Sequence, residues 1–147
     1  MKLDIGRVLA DDKTTLEFSC QADFSELEMA DGVKPFSQVC VSGSVRSRYE
    51  AVSLVAKIRA EGKIPCARCL RETAVSFDLP LDCVVTDEPD EDGLPVITGG
   101  HFLDLHSAVR EALFDAYPSK VLCREDCAGL CPVCGQNRND GPCACEK

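Results

Sequence analysis

Eleven of the 147 residues are cysteine, and their spacing is the first chemistry the chain offers. Two pairs have C-x-x-C spacing, Cys66-Ala67-Arg68-Cys69 and Cys131-Pro132-Val133-Cys134. A turn of this kind can chelate one ion with two thiolates. Pro132 presets its own φ, and Gly135 can take the positive φ that often follows the second thiolate. Cys143-Ala144-Cys145 follows after eight residues, so Cys131, Cys134, Cys143 and Cys145 form a C-x2-C-x8-C-x-C set within 15 residues. Four soft ligands are what tetrahedral Zn²⁺ takes in a structural site, and so short a loop opposes closure with little entropy. Cys66 and Cys69 lie between two alternating segments, at the expected tip of a hairpin, as in a zinc ribbon. They need two more ligands, and Cys123 and Cys127 are the economical choice. Other partitions stay open. The two C-x-x-C pairs could share one ion, with the remaining cysteines holding another or staying free. The expected cofactor is one or two structural Zn²⁺ ions.

A different chemistry is also open to Cys66 and Cys69, that of a thiol-based redox enzyme or sensor. Such a pair works best at a helix N-terminus, where the dipole lowers the thiol pKa. Here it falls between strands with no βαβ pattern nearby. A site closed by four thiolates leaves no position for water, so hydrolytic zinc chemistry is not expected. The chain carries no phosphate loop, no G-x-S-x-G and no H-E-x-x-H. His101 and His106 have no partner at a diagnostic spacing and read as surface residues. The expectation is a protein that is not an enzyme.

The elements that must position these thiols are mostly strands. Leu16, Phe18, Cys20, Ala22 and Phe24 alternate with polar residues, and so do Val39, Val41, Gly43 and Val45. Leu54, Ala56, Ile58, Ala60 and Ile64 continue the period of two, followed by Thr73, Val75, Phe77, Leu79, Leu81, Cys83 and Val85. Cys20 and Cys83 fall on apolar faces as core residues, whereas Cys40 takes the opposite phase. Residues 86–100, TDEPDEDGLPVITGG, read as an acidic solvated loop without EF-hand spacing. One helix follows, capped by Asp104, marked by Leu105, Ala108, Val109, Ala112 and Ala116, and stopped by Pro118. The fold class expected is α+β: an antiparallel β-rich sheet or partly closed barrel with one main helix and a zinc-knuckle C-terminal tail. Residues 1–118 form the β-rich domain, and residues 119–147 form a Cys-rich metal-binding tail packed on or next to it.

Charge and composition bound the partners. The formal net charge is −9, aromatic residues are 5% and Trp is absent, so a broad footprint for a phosphate backbone is lacking. Arg46, Arg48, Lys57, Arg59, Lys63, Arg68 and Arg71 nevertheless fall in one stretch. On adjacent strands they make either one positive face or an ordinary solvated one. No apolar run reaches the ~18 residues of a membrane span. The opening MKLDIGRVLADDK has acids and an arginine where a secretory segment would be apolar, so a cytoplasmic location is expected. In a reducing compartment an odd number of cysteines points to metal ligands rather than a disulfide framework.

Taken in order, these residues resemble a known family. The C-x-R-C-L knuckle of Cys66, Arg68, Cys69 and Leu70 precedes a helix ending in Tyr117-Pro118. Then comes L-C-x-x-x-C-x-G-L-C-P-x-C-G-x-N-x-N-x-x-x-C-x-C, from Leu122 to Cys145. The pattern resembles the YceD family, the large ribosomal RNA subunit accumulation proteins, with Arg138 standing where members commonly have Leu. The resemblance implies a noncatalytic role in 23S rRNA accumulation and large-subunit assembly. It also implies a large-subunit ribosomal precursor as partner, met through its 23S rRNA or a ribosomal protein, with no DNA and no membrane.

Overall fold

The computed structural model describes residues 1–49, 51–87 and 95–145. The long alternating segments form four strands: β2 (Thr15–Asp23), β3 (Phe36–Arg48), β4 (Ala51–Pro65) and β5 (Glu72–Val84). They pair antiparallel in the linear order β2-β3-β4-β5. Short elements complete the described fold: strands β1 (Lys2–Asp4), β6 (Val96–Thr98) and β7 (Phe102–Asp104), and helices α1 (Gly6–Ala10) and α2 (His106–Ala116). β1, β7 and β6 make a second antiparallel sheet, in that order. Neither sheet closes on itself among the described residues, which form two open sheets.

Register explains the core. β3 and β4 pair Val41 with Ile58 and Val45 with Leu54, putting β-branched and aliphatic side chains side by side on one face. Val39, Val41, Val45, Leu54 and Ile58 are fully buried there. Gly43 lies on the same phase opposite Ala56, and a Cβ at Gly43 would collide with the Val55 carbonyl and the Ala56 backbone. The glycine therefore lets two long strands approach at mid-sheet. The inward residues of the edge strands β2 and β5 are only half-buried, as period-two patterning at a sheet margin allows. Cys20 and Cys83 are half-buried on that face. Cys40 points the other way, and Gln21 Nε2 donates to its sulfur at 3.4 Å.

The inner face of the large sheet is roofed by α1, α2 and the small sheet, which bury Val8, Val109, Leu113, Ile5 and Leu103. The helix expected after residue 104 is α2. Asp104 Oδ1 accepts the His106 N–H at 3.0 Å, and Ala108, Val109 and Leu113 form its buried side. Leu113 carries more of that side than Ala112 or Ala116, which are only half-buried. His101 and His106 are exposed, with His106 stacked on Phe24 at 5.0 Å between ring centroids.

The one main helix expected is α2, and a five-residue helix, α1, precedes β2. One expectation needs correction. Residues 86–100 are not loop throughout, because Val96–Thr98 pair with β7 and Thr86 bridges Val96. Three-residue strands and a five-residue helix are too short to print a period on the sequence, and tertiary pairing supplies what local pattern lacks. The acidic run at 88–92 lies outside the described residues.

Candidate metal centres

The turn between β4 and β5 holds Cys66 to Arg71. The Cys66 N–H donates to the Arg71 carbonyl at 2.9 Å, and the Leu70 N–H returns to the Cys66 carbonyl at 2.9 Å. Leu70 sits at φ +59°. The tail repeats this turn: the Cys131 N–H donates to the Gln136 carbonyl at 2.8 Å, and the Gly135 N–H to the Cys131 carbonyl at 2.9 Å. Gly135 sits at φ +74°. Each turn thus aims two sulfurs to one side of a tight loop whose closing residue is left-handed, the geometry of a knuckle.

Each knuckle meets two further thiols. Cys66, Cys69, Cys123 and Cys127 form one group, and Cys131, Cys134, Cys143 and Cys145 form another, with the sulfurs of each group all within 4.8 Å of one another. The structure therefore joins the hairpin pair to the cysteines after α2 and the tail pair to the last two, and it does not bring the two knuckles together. In the first group Cys66 Sγ lies 3.8 Å from Cys127 Sγ, and Cys69 Sγ lies 3.6 Å from Cys123 Sγ. Cys66, Cys69 and Cys127 are buried with Leu122, Cys123 and Leu130 packed against them, a small core separate from that of the sheet. In the second group Cys131 and Cys143 are buried while Cys134 and Cys145 are exposed.

The hairpin tip and the chain after α2 are stitched together by hydrogen bonds. The Ala67 N–H donates to the Val121 carbonyl at 2.8 Å, and the Leu130 N–H to the Arg68 carbonyl at 3.0 Å. The Arg68 guanidinium donates to the Cys127 carbonyl at 2.9 Å. Gly129, at φ +75°, lies against Arg68, where an added Cβ would be 3.1 Å from the Arg68 carbonyl oxygen.

The sulfurs sit among N–H donors, and this divides their acidities. The backbone N–H of Cys123, with those of Arg68 and Cys69, holds the Cys66 thiol down at about 6. The N–H groups of Cys134 and Val133 hold Cys131 down at about 6 as well. Burial would raise Cys127, but the Asn139 side chain and the Gly129 N–H outweigh it and lower that thiol. Burial and the neighbouring Cys69 sulfur push Cys123 up to about 12, and the Cys134 sulfur and burial push Cys145 up to about 11. Thiols packed this closely cannot all ionise on their own, because each thiolate opposes the next. A soft divalent cation removes that opposition, and four sulfurs with N–H donors fit one. Both groups could hold a metal ion. Each would present four protein ligands, leaving no open position for a substrate.

Asn139 is the residue whose role the spacing did not reveal. Asparagine between two cysteine pairs is an ordinary turn residue, and Asn137 Oδ1 does accept the Asn139 N–H at 3.0 Å. Asn139 Nδ2 also reaches Cys127 Sγ at 3.3 Å. The N-x-N pattern beside a cysteine group was the only available signal.

The basic residues share their face with carboxylates. Arg46, Arg48, Lys57 and Arg59 all lie exposed on β3 and β4, but Lys57 and Arg59 approach Asp78 of β5 at 3.7 and 3.8 Å. Lys63 pairs with Glu72 at 3.4 Å and Arg71 with Asp140 at 3.0 Å. Among the described residues Arg46 and Arg48 have no carboxylate partner, and Arg46 Nε faces Ser53 Oγ at 3.4 Å. Among the described residues no helix is long and apolar enough to cross a membrane.

Comparison with protein families matches residues 54–147 to the profile described as large ribosomal RNA subunit accumulation protein YceD. Comparison with curated proteins finds no match. Comparison with solved structures finds none either. The matched segment is well over half of the chain and contains both cysteine groups with most of β4 and all of β5 and α2. The chain belongs to the family of the large ribosomal RNA subunit accumulation protein YceD.

Proposed function

We propose that the protein is a noncatalytic ribosome-biogenesis factor that supports 23S rRNA accumulation and large-subunit assembly, built around two structural zinc ions. The family name ties the chain to ribosomal RNA of the large subunit and describes accumulation rather than a reaction. The observation that carries the metal reading is the gathering of eight of the eleven cysteines into two four-sulfur groups, each within 4.8 Å. Zn²⁺ suits them because it favours tetrahedral thiolate sets and has no redox chemistry of its own. Cys66, Cys69, Cys123 and Cys127 hold one ion in this reading, and Cys131, Cys134, Cys143 and Cys145 the other. Residues 1–118 then act as the β-rich body, and residues 119–147 as a tail that the first ion fixes to it and the second closes on itself.

The partner in this reading is a large-subunit precursor in the cytoplasm, met through its 23S rRNA or a ribosomal protein. An acidic body with Arg46 and Arg48 exposed near the β3–β4 turn can touch phosphate locally while its net charge discourages indiscriminate RNA binding. The redox alternative finds little support, since Cys66 and Cys69 are buried at a hairpin tip and packed with two further thiols. Two measurements test the proposal: zinc content of protein purified without added metal, and co-sedimentation with large-subunit precursors. Two zinc ions per chain and association with the precursor are expected. Metal-free protein with reactive thiols at Cys66 and Cys69 would favour the redox reading instead.

A further inference from the structure

We propose that Asn139 couples the two cysteine groups, so that an ion in the second group raises the metal affinity of the first; this rests on reading both groups as metal sites. Asn139 lies in the loop between Cys134 and Cys143, which are both members of the second group. Its side chain, however, is spent on the first. Asn139 Nδ2 donates to Cys127 Sγ at 3.3 Å and to Asn137 Oδ1 at 2.7 Å. Asn139 Oδ1 accepts the Ala128 N–H at 2.9 Å and the Arg124 guanidinium at 2.6 Å. One amide therefore ties together the segment that carries Cys123 and Cys127 and supplies an N–H donor to one of its sulfurs.

Besides its own hydrogen bonds, this amide depends on the loop that carries it, and both ends of that loop belong to the second group. The loop contains Gln136, Asn137, Arg138, Asp140, Gly141 and Pro142, none of them buried. Its backbone is pinned at Arg138 N–H to the Gly129 carbonyl, 2.9 Å, and at the bridge of Leu130 with Asn137, and Asp140 pairs with Arg71 at 3.0 Å. A polar loop whose ties are exposed or part-buried polar contacts has too little apolar surface to order itself. Its two ends are cysteines of one four-sulfur group, and closing that group onto an ion fixes both ends. The same event therefore fixes Asn139 against Cys127. Groups that orient a metal ligand from behind shift affinity by about 10–100-fold when removed. Binding linkage makes the effect reciprocal, so an ion in the first group also favours one in the second.

The test uses the full chain loaded with Cd²⁺, a thiophilic spectroscopic probe whose two resonances are assigned by their loss in Cys66→Ser and Cys145→Ser proteins. Competition with a chelator then reads the affinity of the first group in four proteins: native, Asn139→Asp, Cys145→Ser, and the double variant. Asn139→Asp keeps an acceptor for Ala128 and Arg124 but removes the donor to sulfur. Each single variant is expected to weaken the first group about 10–100-fold, and the double variant no more than either alone. Hydrogen exchange at residues 66–70 should rise in the Cys145→Ser protein, a change that reports coupling independently of the chelator. Unchanged affinity in Asn139→Asp, or losses that multiply in the double variant, overturns the coupling and leaves two independent metal sites standing. A native chain that takes up no ion overturns the metal reading and the coupling with it.

Discussion

Leu70 and Gly135 hold the same place in two equivalent turns: each donates its N–H to the carbonyl of the first cysteine of its pair at 2.9 Å, and each has a left-handed φ, +59° and +74°. Glycine takes that conformation freely, whereas leucine pays about 1 kcal/mol or more. Leu70 is 66% exposed, so burial does not repay the cost within this chain. Replacing Leu70 with Asn, which tolerates left-handed backbone, should raise stability by roughly 0.5–1 kcal/mol. Gly135→Ala should lower it by about 1 kcal/mol, since nothing lies within 4 Å of the added Cβ and only φ is at issue. Denaturant titration of the metal-loaded proteins checks both signs.

Metal removal should act locally. The first group's core is mostly sulfur, and the described tail beyond residue 119 contains no helix or named strand. Chelation is expected to raise hydrogen exchange across residues 122–145 and at the 66–71 turn, and to leave the centres of β3 and β4 protected. Unchanged protection in the tail after complete metal removal would show that the thiols alone order it.

Gly43 sets the approach of β3 to β4. Gly43→Val should cost about 3 kcal/mol, the upper end of overpacking penalties, because the obstruction is backbone rather than a side chain that can turn away. Urea denaturation measures the loss. A cost under about 0.5 kcal/mol would mean that the strands can part at this point without penalty.

Alkaline stability should depend on Tyr117. Its hydroxyl donates to Asp31 Oδ2 at 2.9 Å, and burial together with that carboxylate pushes its pKa from the ordinary 10.0 up to about 12. Between these values the unfolded chain loses the proton while the folded one keeps it. The contribution is therefore present below pH 10 and is lost as pH rises through about 12. Comparing native protein with Tyr117→Phe from pH 9 to 12 isolates this slope, because other groups titrate alike in both. The native protein should lose more stability across that window.

Association with large-subunit precursors should respond to some arginines more than to other basic residues. Reversing Arg46 and Arg48 to Glu should weaken co-sedimentation without lowering thermal stability, because both are exposed. Neutralising Lys57 and Arg59 to Gln should matter less, since Asp78 already offsets part of their charge. Binding should weaken with salt along a shallow slope, as few phosphate contacts would give. Equal binding by the reversed and native proteins at two salt concentrations would move the contact to another surface.

The sequence alone determined what is local. Alternation placed the four long strands and their inward residues, from Leu16 on β2 to Cys83 on β5, because side chains on a strand change face at every step. C-x-x-C spacing marked both knuckles, because two thiols three positions apart share one turn. Tertiary structure decided the rest. Cys66 meets Cys127 across 61 positions because β4 carries the hairpin tip to the chain that leaves α2, and no spacing encodes that meeting. β1, β6 and β7 are strands only because they pair with one another at three residues each. Lys57 and Arg59 share their face with Asp78, a neighbour that only strand register supplies. Asn139 reads as a turn residue until the fold lays its loop beside Cys127, and a side-chain amide has no partner until distant backbone brings one within about 3 Å.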